Sequence, residues 1–134
     1  MIRTNKQLIN DYYEMWNTAG FDKADSLLSP QIRFRGSLGI ATEGIEGFVA
    51  YAKMILHAFL NLYHAAEIVV SEGSQAAVYV SYTGTHRGKL FDFEPTQNRI
   101  SYSGASFFQF KDGKITDIKV LGDLHTLYGQ IGRA

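Results

Sequence analysis

The chain has 134 residues, no cysteine, and thirteen basic side chains against thirteen acidic ones. Its length suits one domain spanning residues 1–134, and 46% hydrophobic residues can bury a real core. Cancelled, dispersed charge argues against nucleic acid or an anionic membrane as partner. No apolar run approaches the roughly 20 residues that span a bilayer. The start, Met1-Ile2-Arg3-Thr4-Asn5-Lys6, lacks the apolar segment of a signal peptide. Without cysteine there is no disulfide or thiolate chemistry, which fits a cytoplasmic location. Nine Phe, eight Tyr and one Trp are more aromatic residues than a minimal core needs. Polar-tipped rings suit a cavity that is apolar yet holds a few hydroxyl groups.

Thr4-x-x-Gln7 reads as a capping box, and Leu8, Ile9, Tyr12, Met15 and Trp16 then recur at helical spacing until Asn17 and Gly20. A short helix is expected over Phe21 to Leu28, closed by Pro30. Ile32, Phe34 and Gly36 alternate with Arg33 and Arg35, which is strand periodicity with one wet face. After Gly44 a third helix carries Phe48, Val49, Ala52, Ile55, Leu56 and Phe59 on its apolar stripe. From Leu62 the period becomes two. Strands are predicted over Leu62 to Ser71 and Gln75 to Thr85, then over Arg99 to Lys111 and Lys114 to Leu121. Glu72-Gly73-Ser74 and Asp112-Gly113 make the tight turns, and Arg87 to Asn98 is a longer loop. Asp123 is placed to cap a last helix bearing Leu124, Leu127, Tyr128 and Ile131. Helices followed by an antiparallel meander make an α+β domain.

Four stretches resemble one family: Gly44-Ile45-Glu46-Gly47-Phe48, Tyr82-Thr83-Gly84-Thr85-His86-Arg87-Gly88, Phe108-x-Phe110-x-Asp112-Gly113-Lys114-Ile115, and Asp123 with Gln130-Ile131-Gly132. By their order and spacing the chain resembles the SnoaL-like polyketide cyclases, within the nuclear-transport-factor-two-like superfamily. That resemblance implies a cone-shaped, curved, antiparallel or mixed sheet closed by the N-terminal helices. It also implies intramolecular aldol ring closure without metal or organic cofactor, using an aspartate on the last strand and a histidine on the strand before it. Aligned on Asp112-Gly113-Lys114, those positions fall at Val120 and Ser106, neither of which transfers protons as the family does.

Strand parity points the same two residues inward. Even-numbered Ala76, Val78, Val80, Tyr82, Gly84 and His86 share one face of their strand. Ile100, Tyr102, Ser106, Phe108 and Phe110 do so on the next, and Ile118 and Val120 on the last. The ligand pocket is therefore expected from Tyr12, Trp16, His64, Tyr82, Tyr102, Ser106, Phe108 and Val120.

His86 and Asp123 are the catalytic candidates. The alternatives are a histidine that fixes the following loop and an aspartate that caps a helix. His64 shares parity with Leu62, Ala66 and Ile68; His57, one residue off the centre of the third helix's stripe, suits either the cavity mouth or the helix surface, and His125 suits a helix surface. The four histidines lack metal-ligand spacing, and no nucleotide fingerprint is present, so neither metal nor organic cofactor is expected.

Three functions fit the residues. One is a pocket for a small hydrophobic, oxygenated molecule, in a diverged cyclase or a binder. Another is a cofactor-free isomerase or dehydratase with His86 or His64 as base. The last is a non-catalytic dimeric module. The outward residues Tyr79, Ser81, Thr83, Ser101, Ser103, Ala105 and Phe107 are small or aromatic, which suits a homodimer through the sheet face.

Overall fold

Thr4 and Gln7 form a reciprocal cap, each side chain accepting from the other's backbone N–H, in a computed structural model that describes residues 3–132. The helix they open, α1 (Asn5–Thr18), buries Leu8, Ile9, Tyr12, Tyr13, Met15 and Trp16. It ends where Ala19 takes a left-handed φ of 55°. A 3₁₀ turn (Phe21–Lys23) leads into the single-turn helix α2 (Ala24–Leu27). Pro30 does not close this helix, contrary to the sequence reading. The chain is already extended at Leu28, and Pro30 lies inside strand β1 (Leu28–Arg35). Its missing N–H is tolerated there because β1 has a register break between Leu28 and Arg33.

Strand β2 (Ala41–Glu43) is too short to show periodicity in sequence, and it pairs antiparallel with β1 from Arg33↔Glu43 to Arg35↔Ala41. Helix α3 (Gly44–Ala58) buries Phe48, Tyr51, Ala52, Ile55 and Ala58. Val49 and Leu56 are only half-buried, and Phe59 already belongs to β3 (Phe59–Glu72). Strands β4 (Gln75–His86), β5 (Arg99–Lys111) and β6 (Lys114–Gly122) follow, and Asp123 caps α4 (Leu124–Gln130). Among the described residues no helix is long and apolar enough to cross a membrane.

The sheet order is β2-β1-β6-β5-β4-β3, and β1 runs parallel to β6 while all other neighbours are antiparallel. The parallel pair closes the meander back onto the first strand, which makes the sheet mixed. Phe48 links the layers, with its ring 4.9 Å from Phe34 of β1 and 6.0 Å from Tyr12 of α1. Phe108 of β5 reaches the same layer at 5.4 Å from Tyr12.

Two irregularities shape β3. Asn61 has φ 55° within a register shift between Leu60 and Tyr63, and a second shift falls between Ala66 and Ile68. Leu62 and His64 face inward as expected. The second shift puts Ile68 opposite Tyr79, so Ile68 is exposed rather than buried, and Ala66 is exposed as well.

Gly104 of β5 is held closely on both sides. A Cβ there would lie 2.6 Å from the Leu121 carbonyl oxygen and 3.1 Å from the Tyr82 ring. Gly104→Ala must push β6 or the ring away, and overpacking of this kind costs about 1–3 kcal/mol. Urea unfolding of the variant is expected to show that loss. A midpoint equal to wild type would mean that the two strands part freely.

Candidate functional site

Strand register builds the site. His64 of β3 pairs with Tyr82 of β4, which pairs with Tyr102 of β5. This puts three inward rings in one row across three strands. The His64 and Tyr82 rings meet edge to face at 5.0 Å, and Tyr82 and Tyr102 lie 4.7 Å apart. Trp16 of α1 extends the row by stacking on His64 at 4.6 Å. Asn17 sets that stack. Its Oδ1 accepts from the His64 backbone N–H at 2.7 Å, and its Nδ2 donates to the His64 carbonyl at 3.0 Å. The sequence reading made Asn17 a helix stop, yet it is helical and clasps β3.

Ser106 and Val120 face each other across β5 and β6 as a direct pair, and both are buried. Together with the ring row they line an interior cavity, which Tyr12, Tyr13, Phe34, Ser37, Tyr51, Ile55 and Leu62 complete. The Ser37 and Tyr102 hydroxyls are 3.3 Å apart. Tyr51 fits closely against Gly36, where a Cβ would fall 2.2 Å from its ring.

Seven of the ten residues singled out from sequence therefore meet at one cavity: Tyr12, Trp16, His64, Tyr82, Tyr102, Ser106 and Val120. Phe108 sits two residues further along β5, opposite Ala76 and Ile118, and packs as core beneath Tyr12 and Tyr13. Tyr13 and Tyr51 went unremarked, although each continues a buried helical stripe, Tyr13 from Ile9 and Tyr51 from Phe48. Ser37 sits in the turn after β1 and had no periodic signal.

His86 and Asp123 lie elsewhere. The His86 Nδ1 accepts from the Thr96 backbone N–H at 3.3 Å and lies 3.1 Å from the Thr96 hydroxyl. Its backbone joins Asn98 and Gln97 at 2.9 Å each. The ring is fully buried beside Phe59, and that burial lowers its pKa. His86 thus ties down the loop between β4 and β5. Asp123 is exposed and caps α4, taking the Thr126 N–H at 3.2 Å and the Thr126 hydroxyl at 2.7 Å. Those bonds to Thr126 hold its carboxyl below the usual range. His57 and His125 are exposed. Among the described residues no three His, Asp or Glu side chains gather as a metal-binding group.

The cavity measures about 30 Å³, which is room for a water or two and far below the roughly 300–1,000 Å³ of a ligand pocket. The aromatic residues expected to line a ligand pocket fill most of the space between them with their own rings. A wider hollow of about 830 Å³ opens on the other side of the sheet, among Arg33, Arg35, Glu43, Val70, Phe107 and Lys119. It is open to solvent and has no part of the ring row.

No lining residue is charged at neutral pH. Burial raises the pKa of the Tyr12, Tyr13, Tyr51, Tyr82 and Tyr102 phenols, so all stay protonated. Burial also pushes the His64 imidazole down from 6.5 to about 3, so that it stays neutral. Three polar atoms here are buried without a hydrogen bond, namely Tyr13 Oη, Trp16 Nε1 and His64 Nδ1. Ser106 lies near the Tyr13 hydroxyl and the Tyr12 hydroxyl near the Trp16 indole, and neither approach has regular hydrogen-bond geometry.

Below pH 6.5 the unfolded chain protonates His64, whereas the folded chain refuses that proton until about pH 3. Stability must therefore fall as pH drops through this window, and above pH 6.5 the effect vanishes. His64→Phe keeps a ring on Trp16 and removes the titration. Between pH 7 and 4.5 the wild type is expected to lose roughly 2–3 kcal/mol more than this variant in urea titrations. Parallel losses would show that His64 protonates freely in the folded state.

A sequence profile of the SnoaL-like polyketide cyclases matches residues 6–131. No curated protein sequence matches the chain. Solved structures share its fold. One is a SnoaL-like protein from a Jannaschia species, with 20% identity, TM-score 0.88, and coverage of 100% of this chain and 99% of that one. TsrD from Streptomyces laurentii has 23% identity and TM-score 0.85 over 95% and 93% of the two chains. A SnoaL-like polyketide cyclase from Agrobacterium tumefaciens has 19% identity and TM-score 0.83 over 98% and 100%. With the profile running from the start of α1 past the end of α4, and the fold of these structures repeated here, the chain belongs to the SnoaL-like polyketide cyclase family.

Proposed function

We propose that this chain binds a small, neutral, oxygenated hydrophobic molecule and does not carry out the acid/base ring closure of its family. One observation carries the reading: the interior cavity is lined by hydroxyl-bearing rings and holds no group charged at neutral pH. Such a lining favours a neutral ligand over an anion, whose burial without a cation is costly. It also disfavours proton transfer. A general base works best with a pKa near the operating pH, and His64 lies far below it. That argues against the isomerase or dehydratase alternative, as does the engagement of His86 with Thr96. A ring-sized ligand has to displace lining side chains, since a benzene-sized guest needs a cavity of about 150 Å³.

The same proposal includes a homodimer. Ile68, Tyr79, Ala105 and Leu121 form an uncharged row across β3, β4, β5 and β6, with Ile68, Tyr79 and Leu121 exposed by 59%, 46% and 59%. Val70 and Phe107 widen it, at 61% and 47%. A second copy laid on this face would cover it. A chain without cysteine also suits the cytoplasm.

An aromatic polyketide ester serves as the assay substrate. Wild-type protein is expected to lack turnover. Ser106→His with Val120→Asp is expected to gain it, since a positioned acid/base pair is worth about 10²- to 10⁴-fold. Wild-type turnover comparable to that of an authentic cyclase defeats the non-catalytic reading. For the dimer, light scattering should return the mass of two copies, and Tyr79→Glu should return the mass of one. A single-copy mass for the wild type removes the interface.

A further inference from the structure

Three polar atoms around the interior cavity make no hydrogen bond of regular geometry although the side chains that carry them are more than nine-tenths buried: Tyr13 Oη, with Ser106 near it, Trp16 Nε1, with Tyr12 near it, and His64 Nδ1. Leaving such groups unpaired is costly, so their grouping at one place calls for an explanation. All three side chains line a cavity of about 30 Å³, so whatever meets them has the size of a water or of one functional group. The ring geometry holds them together. Trp16 stacks on His64 at 4.6 Å, and the Tyr13 ring lies 5.9 Å from His64.

Their chemistry narrows the guest. The indole N–H only donates, the phenol donates or accepts, and a neutral imidazole nitrogen does one or the other according to its tautomer. No cation lines the cavity, so a carboxylate or phenolate would be buried without a counter-charge. A carbonyl oxygen accepts from Trp16 and Tyr13 but offers no hydrogen to a bare His64 Nδ1. A hydroxyl group serves either tautomer. It accepts from Trp16 and gives its own hydrogen to His64 Nδ1, or to the Tyr13 oxygen when Nδ1 is itself a donor.

We propose that Tyr13, Trp16 and His64 form a subsite that receives one neutral hydroxyl group of the bound molecule, so that the chain selects alcohols, phenols or enols over their ethers and over carboxylates. The subsite rests on the binding role proposed above and adds to it the group that is recognised.

Trp16 is the one tryptophan of the chain, so its indole N–H gives a single reporter in an ¹⁵N-labelled sample. The probes are phenol, anisole and benzoate. Phenol is expected to shift the indole signal saturably and to bind about tenfold more tightly than anisole, the scale of one or two buried hydrogen bonds, with benzoate leaving the signal unmoved. Tyr13→Phe removes one orphaned hydroxyl, so it should raise the melting temperature of the free protein while cutting the preference for phenol several-fold. His64→Phe, which keeps a ring on Trp16, should cut the preference too. Equal affinity for phenol and anisole overturns the hydroxyl subsite and leaves the binding role standing. No saturable shift with any probe overturns both. An unchanged preference in both variants, or a Tyr13→Phe protein that is less stable and equally selective, assigns these side chains to packing alone and overturns the subsite.

Discussion

Two hydrogen bonds from the Asn17 amide to the backbone of His64 fasten the end of α1 to β3. Much of the interior depends on this clasp. It is made to backbone groups near a bulge in β3, where Asn61 leaves the regular ladder. By fixing the helix against the strand it puts Trp16 on the His64 ring and brings Tyr12 and Tyr13 over the sheet. From His64 the row continues through Tyr82 to Tyr102 by strand register alone. A helix end, one amide side chain and three paired strands thus produce a chamber walled by aromatic residues.

The chamber is apolar, yet it carries many hydroxyl groups and two ring N–H-type positions, and it contains no formal charge. Burial enforces that neutrality on both kinds of titratable group it holds, raising the phenols and lowering the imidazole. Ser106 and Val120 sit within it as a direct cross-strand pair. A serine and a valine are the residues that such an environment tolerates without a counter-ion. The serine–valine pair and the tight packing of the rings are therefore consistent with each other. An ionised aspartate would need solvent or a cation that this cavity does not provide.

The two catalytic candidates, His86 and Asp123, hold a loop and a helix end. His86 is the centre of a small network with Thr96, Gln97 and Asn98, which returns the chain from β4 to β5. Gly88 of the same motif leaves no space for a Cβ, which would lie 2.3 Å from the His57 carbonyl oxygen. Asp123 starts α4 through Thr126. A motif of this sort marks a place where backbone geometry is demanding, and that demand is independent of whether the nearby cavity does chemistry.

Much of the architecture was legible in the sequence because it follows from local physics. The capping box at Thr4, the turns at Gly73 and Gly113, and the alternation in β4, β5 and β6 are each set by residues close together in the chain. Parity along those strands also placed Tyr82, Tyr102, Ser106 and Val120 on the inner face. Only the tertiary structure decided what that face encloses. The irregular register of β3 turned Ile68 outward, and the pairing of β1 with β6 made room for Pro30 in a strand. Tyr13 and Tyr51 arrived from two different helices to fill the cavity down to about 30 Å³. Periodicity tells which way a side chain points, but the volume left between facing side chains depends on how separate elements interlock. That interlocking is fixed by contacts between residues far apart in the sequence, such as Asn17 with His64, and no local pattern records them.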